Sequence, residues 1–336
     1  MPFSNLEAFH TKLNDLPIQN SDAASRASAR DATLTKPPGA LGTLEELAVW
    51  AAGWQGHQPT LDAPQIVIFA GNHGVCAKGV SAFPPEVTAQ MVANFENGGA
   101  AINQLAKAFD ASFSVHPIHL ETPTQDFTAE PAMSEAECVE AINIGWNAVS
   151  DASDMLIVGE MGIGNTTIAA ALSAALFGGA GETWAGPGTG ISQDGISLKA
   201  SVIDEGLLRH NDILNDPMAI LQCLGGRELA AMVGAILSAR YKKVPVILDG
   251  FVSCAAAAIL AKANPHALDH CVAGHVSAEP GHILLLQYLQ KTPLLNLRMR
   301  LGEGSGAALA LGIIKGAFAT HNGMASFAEA GVSTKG

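Results

Sequence analysis

One stretch limits what this chain can become: Met155 to Leu172, MLIVGEMGIGNTTIAAAL. Met155, Leu156, Ile157 and Val158 read as a buried strand. A tight loop follows, Gly159-Glu160-Met161-Gly162-Ile163-Gly164. Asn165, Thr166 and Thr167 stand where a helix running on through the alanines needs its cap. Strand, glycine loop and helix start together make an anion site, because loop N–H groups and the helix N-terminus aim partial positive charge at one point. The spacing imitates the phosphate loop G-x-x-x-x-G-K-[ST], with Asn165 in the lysine position. That predicts a phosphate site without the polyphosphate chemistry of a triphosphate enzyme. The alternative is an ordinary strand–loop–helix joint.

Bulk composition narrows the class. Of 336 residues, 48% are hydrophobic and 15% charged, which predicts a compact, well-buried protein. A formal charge of −13 argues against nucleic acid or an anionic membrane as the main partner. A small anionic substrate needs only a local positive site. The cysteines, Cys76, Cys138, Cys223, Cys254 and Cys271, are odd in number and form no C-x-x-C pair, so reduced thiols and a cytoplasmic location are expected. The N-terminal sequence has no leader-like pattern, and no uncharged apolar run reaches a membrane span. His275 and His282 lie seven apart with no third ligand at zinc spacing, so neither metal nor cofactor is expected.

The order of patterns predicts an α/β fold. Residues 1 to 56 read as helical, with Thr43 and Glu46 as a capping box for a helix through Trp50 and Trp54. Strands are expected at 65–70, 113–117, 155–158, 244–248 and 270–273, alternating with helices. That alternation predicts a mostly parallel sheet flanked by helices, with ligands beyond the strand C-termini. Pro85 opens a helix with Val87, Met91 and Phe95 on one face. His73 follows the first strand as an acid–base candidate or a structural donor. A second glycine loop, Ala185-Gly186-Pro187-Gly188-Thr189-Gly190-Ile191, leads to a helix carrying Lys199, a second anion contact. Lys36, in the stiff turn KPPGALG, is either a third or part of a plain connection. Glu303, between Gly302 and Gly304, is either a catalytic base or a carboxylate favoured near a helix N-terminus.

Taken together, KPPGALGTLEELA, AGNHGV, EVTAQMVANF, GEMGIGNTT, LDGFVSCAAA, HVSAE and RMRLGEGSGAALA resemble the nicotinate-nucleotide:dimethylbenzimidazole phosphoribosyltransferase family of cobalamin lower-ligand synthesis. The segments occur in the family's order over nearly the whole chain. The resemblance implies a Rossmann-like large domain over 59–295 and a small helical domain built from 1–58 with 296–336. It implies a cytoplasmic homodimer whose neighbouring subunit completes the active site. Glu303 aligns with the general base, and Glu160 with the ribose–phosphate end. Gly162, Ile163, Gly188 and Lys199 align with nucleotide- and phosphate-contacting positions. Phe83, Met91 and Leu301 are candidates for an apolar base pocket. Some relatives carry Ser and Gln where Phe83 and Met91 stand, so the change either widens acceptance toward other benzimidazoles or shifts hydrogen bonding to Ser81 or Gln90.

The implied reaction takes nicotinate mononucleotide and 5,6-dimethylbenzimidazole to α-ribazole 5′-phosphate and nicotinate. One acid–base group suffices, since a pyridinium-type leaving group needs no proton. Three rivals make different demands. A P-loop kinase requires lysine at position 165. A dinucleotide oxidoreductase requires a clean G-x-G-x-x-G, which no loop provides. A nucleotide-binding regulatory module predicts ligand binding without turnover.

Overall fold

The computed structural model describes residues 2–333. The chain opens with α1 (Leu6–Lys12), α2 (Ser21–Asp31) and α3 (Thr43–Gln55). Then come β1 (Pro64–Ala70), α4 (Glu86–Glu96), α5 (Ala101–Ala108), β2 (Ser112–Pro117), α6 (Glu135–Ala148) and β3 (Met155–Met161). A helical run follows, α7 (Asn165–Phe177), the short α8 (Gly181–Trp184), α9 (Gln193–Arg209), α10 (Pro217–Leu224) and α11 (Arg227–Lys242). The chain closes with β4 (Val246–Leu248), α12 (Phe251–Ala263), β5 (Cys271–His275), α13 (Pro280–Tyr288), β6 (Pro293–Leu295), α14 (Ser305–Gly323) and α15 (Phe327–Ala330).

The six strands form one sheet in the order β2-β1-β3-β4-β5-β6, every pair parallel. This is the doubly wound order 2-1-3-4-5 with a sixth strand added. Its switch point, where such folds place ligands, lies between β1 and β3. Strand alternation splits the core into two layers. Ile66, Ile68, Met155, Ile157 and Ile247 face α3, α5 and α14. Val67, Phe69, Leu156, Val158, Val246 and Leu248 face α6, α7, α11 and α12. Both faces are covered, which is why the central strands read as continuous apolar runs. No helix among the described residues is long and apolar enough to cross a membrane.

The chain ends meet on one side. Leu34 bridges Ser326, and the Arg30 guanidinium donates to the carbonyls of His321, Asn322 and Met324. Helix α1 lies elsewhere, against α6, where Phe3 packs edge-on to Phe9 and Trp146.

Several local expectations are corrected. Thr43 does not cap α3: Gly42 takes that position at φ +54°, and Glu45 instead accepts from the Leu41 N–H. The capping box at Ser134 and Glu137 does form, at the start of α6. The buried face of α4 is Thr88, Val92 and Phe95, while Val87 and Met91 are only half-buried. Lys36 pairs with Asp31 and Glu45, each at 2.9 Å, and lines no part of the main cavity. His282 belongs to α13 and not to a loop, and the edge strand β6 was not legible in its three residues.

Candidate active site

The site begins at the end of β3. Glu160 is 8% exposed there, and the Asn165 amide donates to its carboxylate. That explains why Asn165 is no cap. The N-cap of α7 is Gly164 at φ +84°, with no side-chain hydrogen bond. A Cβ on Gly164 would stand 2.4 Å from the Cys76 Sγ. A Cβ on Gly162 would meet the Gly71 carbonyl at 2.8 Å and the His73 Nε2 and Glu228 Oε1 at 3.1 Å. His73 and Glu228 contact each other at 2.8 Å with fully buried side chains, wedged beneath the loop. His73 is thus a supporting group that does not reach the cavity. Glycine is required at 162 because the β1 loop and this pair already fill the side-chain position.

The second glycine loop closes over α7. Lys199 reaches from α9 to the Thr166 hydroxyl at 3.1 Å and the Gly186 carbonyl at 3.0 Å. It is 1% exposed, and burial pushes its ammonium down to about 8, against the opposing pull of Glu279. Gly188 has φ +52°, and a Cβ there would lie 2.7 Å from the Thr166 Oγ1 and 3.2 Å from the Lys199 Nζ. Its N–H donates to Glu279 at 2.9 Å, and its carbonyl accepts from Arg300 at 3.0 Å.

Opposite lies the turn before α14. Gly302, Glu303 and Gly304 have φ of +79°, +61° and +75°. Left-handed backbone at Glu303 is strained for a residue with a side chain, at a cost on the order of 1–3 kcal/mol. The surroundings enforce it. A Cβ on Gly302 would meet a Glu160 oxygen at 2.3 Å, and one on Gly159 of β3 would meet the Gly304 nitrogen at 2.7 Å. Asp249, just after β4, accepts from the Gly304 N–H at 3.1 Å and the Ala307 N–H at 2.8 Å. It thereby caps α14 from another element, with His275 3.5 Å from its carboxylate.

Glu303 is 6% exposed, and among the described residues no group hydrogen-bonds its carboxylate. Burial first, and then the Asp249 charge, lift it to about 7. Glu160 is raised well above the usual range, chiefly by burial and then by Asp249. Glu303 is therefore poised to take a proton near neutrality.

A cavity of about 720 Å³ joins these parts. Glu160, Gly162, Ile163, Gly188, Lys199 and Glu303 line it, as do Ser81, Phe83, Met91 and Leu301. Gln90 does not: its side chain on α4 is exposed and outside the lining. Phe83 and Leu301, at 50% and 57% exposure, lie on the wall as apolar groups open to solvent. The cavity is polarised, with Lys199 and Arg300 at the Gly188 end and carboxylates around Glu303. Asp249, Ser277, Glu279 and Arg300 were missed as functional positions. Asp249 carried one usable signal, a carboxylate immediately after a short apolar strand. Glu279 carried none, because its partner Gly188 is remote in sequence.

Comparison with known proteins places the chain in a family. A phosphoribosyltransferase family model matches residues 16–332. The nicotinate-nucleotide–dimethylbenzimidazole phosphoribosyltransferase of Roseobacter denitrificans is 58% identical over 332 residues, 98% of each chain. That of a Jannaschia species is 59% identical over 331 residues, again 98% of each. The crystal structure of the Thermus thermophilus enzyme superposes with a TM-score of 0.87 at 39% identity, covering 94% of this chain and all of that one. With a matching fold, a family model over residues 16–332 and relatives 58–59% identical over 98% of its length, the chain belongs to the nicotinate-nucleotide–dimethylbenzimidazole phosphoribosyltransferase family.

Proposed function

We propose that this protein transfers the 5-phosphoribosyl group of nicotinate mononucleotide to 5,6-dimethylbenzimidazole, giving α-ribazole 5′-phosphate and nicotinate. The carrying observation is that the raised, unpartnered carboxylate of Glu303 faces the same cavity as the Gly188–Lys199 cradle. The 5′-phosphate sits against Gly162, Ile163, Gly188 and Lys199, where one ammonium and an open helix N-terminus meet an anion. The benzimidazole lies among Phe83, Met91 and Leu301, with the Ser81 hydroxyl at its edge. One ring nitrogen attacks the anomeric carbon with its lone pair. The bond to nicotinate breaks, and its electrons stay on the pyridine nitrogen. The other ring nitrogen loses its proton to Glu303. Glu160 stabilises positive charge developing on the ribose.

The decisive assay follows nicotinate release from nicotinate mononucleotide and dimethylbenzimidazole, beside a Glu303→Gln variant. Release that requires the base and collapses in the variant supports the reading. Nucleotide binding without release with any azole would make the chain a binding module. Retention of full turnover by Glu160→Gln would remove the role given to Glu160.

We extend the reading to assembly and organisation. A homodimer in which a second copy covers Phe83 and Leu301 accounts for two large apolar groups open to solvent on the cavity wall. Light scattering at micromolar concentration tests it, and a monomer there would count against it. The division into 1–58 with 296–336 and 59–295 is supported by the contacts that join the chain ends, and opposed by the packing of α1 on α6 and of α14 on the sheet. A cytoplasmic location suits five free thiols, four of them buried.

A further inference from the structure

Gly188 is held through both of its backbone polar groups. Its N–H donates to the Glu279 carboxylate at 2.9 Å, and its carbonyl accepts from the Arg300 guanidinium at 3.0 Å. Glu279 opens α13, and Arg300 lies three residues before Glu303 on the same short loop. One residue of the cradle, through its two flanking peptides, thus joins two other elements, one of which carries the proposed general base. The fit is tight. A Cβ on the neighbouring Gly186 would lie 2.2 Å from the second Glu279 oxygen. That oxygen is buried and has no hydrogen-bond partner. An acid this deeply placed beside an anion cradle opposes phosphate on electrostatic grounds. Its presence needs a reason other than binding.

We propose that Glu279 and Arg300 are positioning residues that clamp the two peptides flanking Gly188 and so couple occupation of the phosphate cradle to the placement of Glu303. This rests on the reading that the donor's 5′-phosphate occupies the Gly188–Lys199 end. When an anion draws the 186–190 loop inward, the Gly188 carbonyl pulls Arg300, and Arg300 shifts the turn that carries Glu303. Glu279 anchors the peptide on the N-terminal side of Gly188, and Arg300 holds the peptide on its C-terminal side, so rotation at this glycine is restrained from both ends and the motion passes to Arg300. The phosphate, remote from the reacting bond, then contributes to the rate as well as to affinity.

Two measurements test the clamp. The first compares nicotinate mononucleotide with its dephosphorylated riboside as donors. In the native protein the phosphate raises kcat. In Glu279→Ala and Arg300→Ala, the ratio of kcat with the nucleotide to kcat with the riboside falls at least about tenfold. Arg300→Lys and Glu279→Gln each keep one hydrogen-bonding group for Gly188 and restore part of the difference. Equal losses with both donors would reduce the pair to structural support. A higher KM with unchanged kcat would reduce it to a binding element. Either result overturns the coupling.

The second measurement needs no turnover. Amide hydrogen exchange is followed with inorganic phosphate as the only ligand. In the native protein, phosphate slows exchange at 186–190 and at 300–304. In Arg300→Ala it slows exchange at 186–190 alone. Protection of 300–304 that survives in the variant, or is absent from the native protein, overturns the clamp. Failure of phosphate to protect 186–190 also overturns it. The transferase reading would still stand if nicotinate release were observed.

Discussion

Two helix starts face this cavity, and they look alike in sequence. Gly162-Ile163-Gly164-Asn165 opens α7, and Gly302-Glu303-Gly304-Ser305 opens α14. Each places glycine in left-handed backbone at the N-cap, and neither has a local side-chain cap. Their ends differ. Around α14, Asp249 already accepts from the Gly304 and Ala307 N–H groups. Around α7 the Asn165 and Thr167 N–H groups bond the Gly162 and Gly164 carbonyls, the nearby carboxylate Glu160 is engaged by the Asn165 amide, and among the described residues no carboxylate accepts from the Gly164 or Thr166 N–H. An anion is drawn to a helix N-terminus only while its N–H groups are free. On the proposed reading the first glycine turn is the one that meets the phosphate. The other, closed by a carboxylate, carries Glu303, which burial and then that closing charge raise.

Removing the base should break this comparison most severely. Glu303→Gln should lower kcat by about 10²–10⁴-fold in the nicotinate-release assay. Its stability should move the other way. The Glu303 carboxyl lies near 7 when folded, against an ordinary 4.5, so the folded chain binds that proton more tightly. Stability from this group is present below 4.5 and is lost as pH rises through about 7, on the order of 3 kcal/mol in all. Glu303→Gln should thus melt above the native protein at pH 8, with the gap narrowing at pH 5. A lower Tm at pH 8 would contradict the assignment.

Opening the closed helix is the next step down. Asp249→Asn keeps an acceptor for one N–H and loses the charge, so urea unfolding should show a loss of about 1–3 kcal/mol. The acidic limb of its kcat/KM profile should move below the native value, because the charge that raises Glu303 is gone. A limb left in place would mean that burial alone sets Glu303.

Matched alanines then separate the two turns. Both need left-handed backbone, so Gly164→Ala and Gly304→Ala should each cost about 1–3 kcal/mol. Gly164→Ala should mainly raise KM for the nucleotide, and Gly304→Ala should mainly lower kcat. The same kinetic signature from both would erase the distinction.

The native pH profile is gentler. kcat/KM should rise to about 7 as Glu303 loses its proton, and fall above about 8 as Lys199 loses its charge. A flat basic side would remove Lys199 from donor binding. The smallest effect belongs to Lys36→Met, which should leave kcat and KM unchanged, because Lys36 is engaged by Asp31 and Glu45.

Much of this was legible in the chain itself. The apolar runs at Ile66–Ala70 and Met155–Val158 announced buried parallel strands, since strands covered on both faces need no polar alternation. The glycine loops announced close backbone approach, and Glu303 between two glycines announced a side chain held out of ordinary packing. The short strand β6 was not legible, because three residues carry no period. The cap of α3 was misread, because Gly42 offers no side chain and the pattern at Thr43 was matched one position late. Gln90 was misplaced because a helix turns 100° per residue, and only Val87 and Met91 of its neighbours on α4 reach the cavity.

Sequence by itself determined the elements, the parallel sheet and the identities of the two glycine turns, because these depend on local sterics and on the burial period. Only the tertiary structure decided which turn is open. That depends on Asp249, Glu279 and Arg300, whose partners Gly304, Gly188 and Ala307 lie tens of residues or more away along the chain. A hydrogen bond between distant residues leaves no period and no local composition to read.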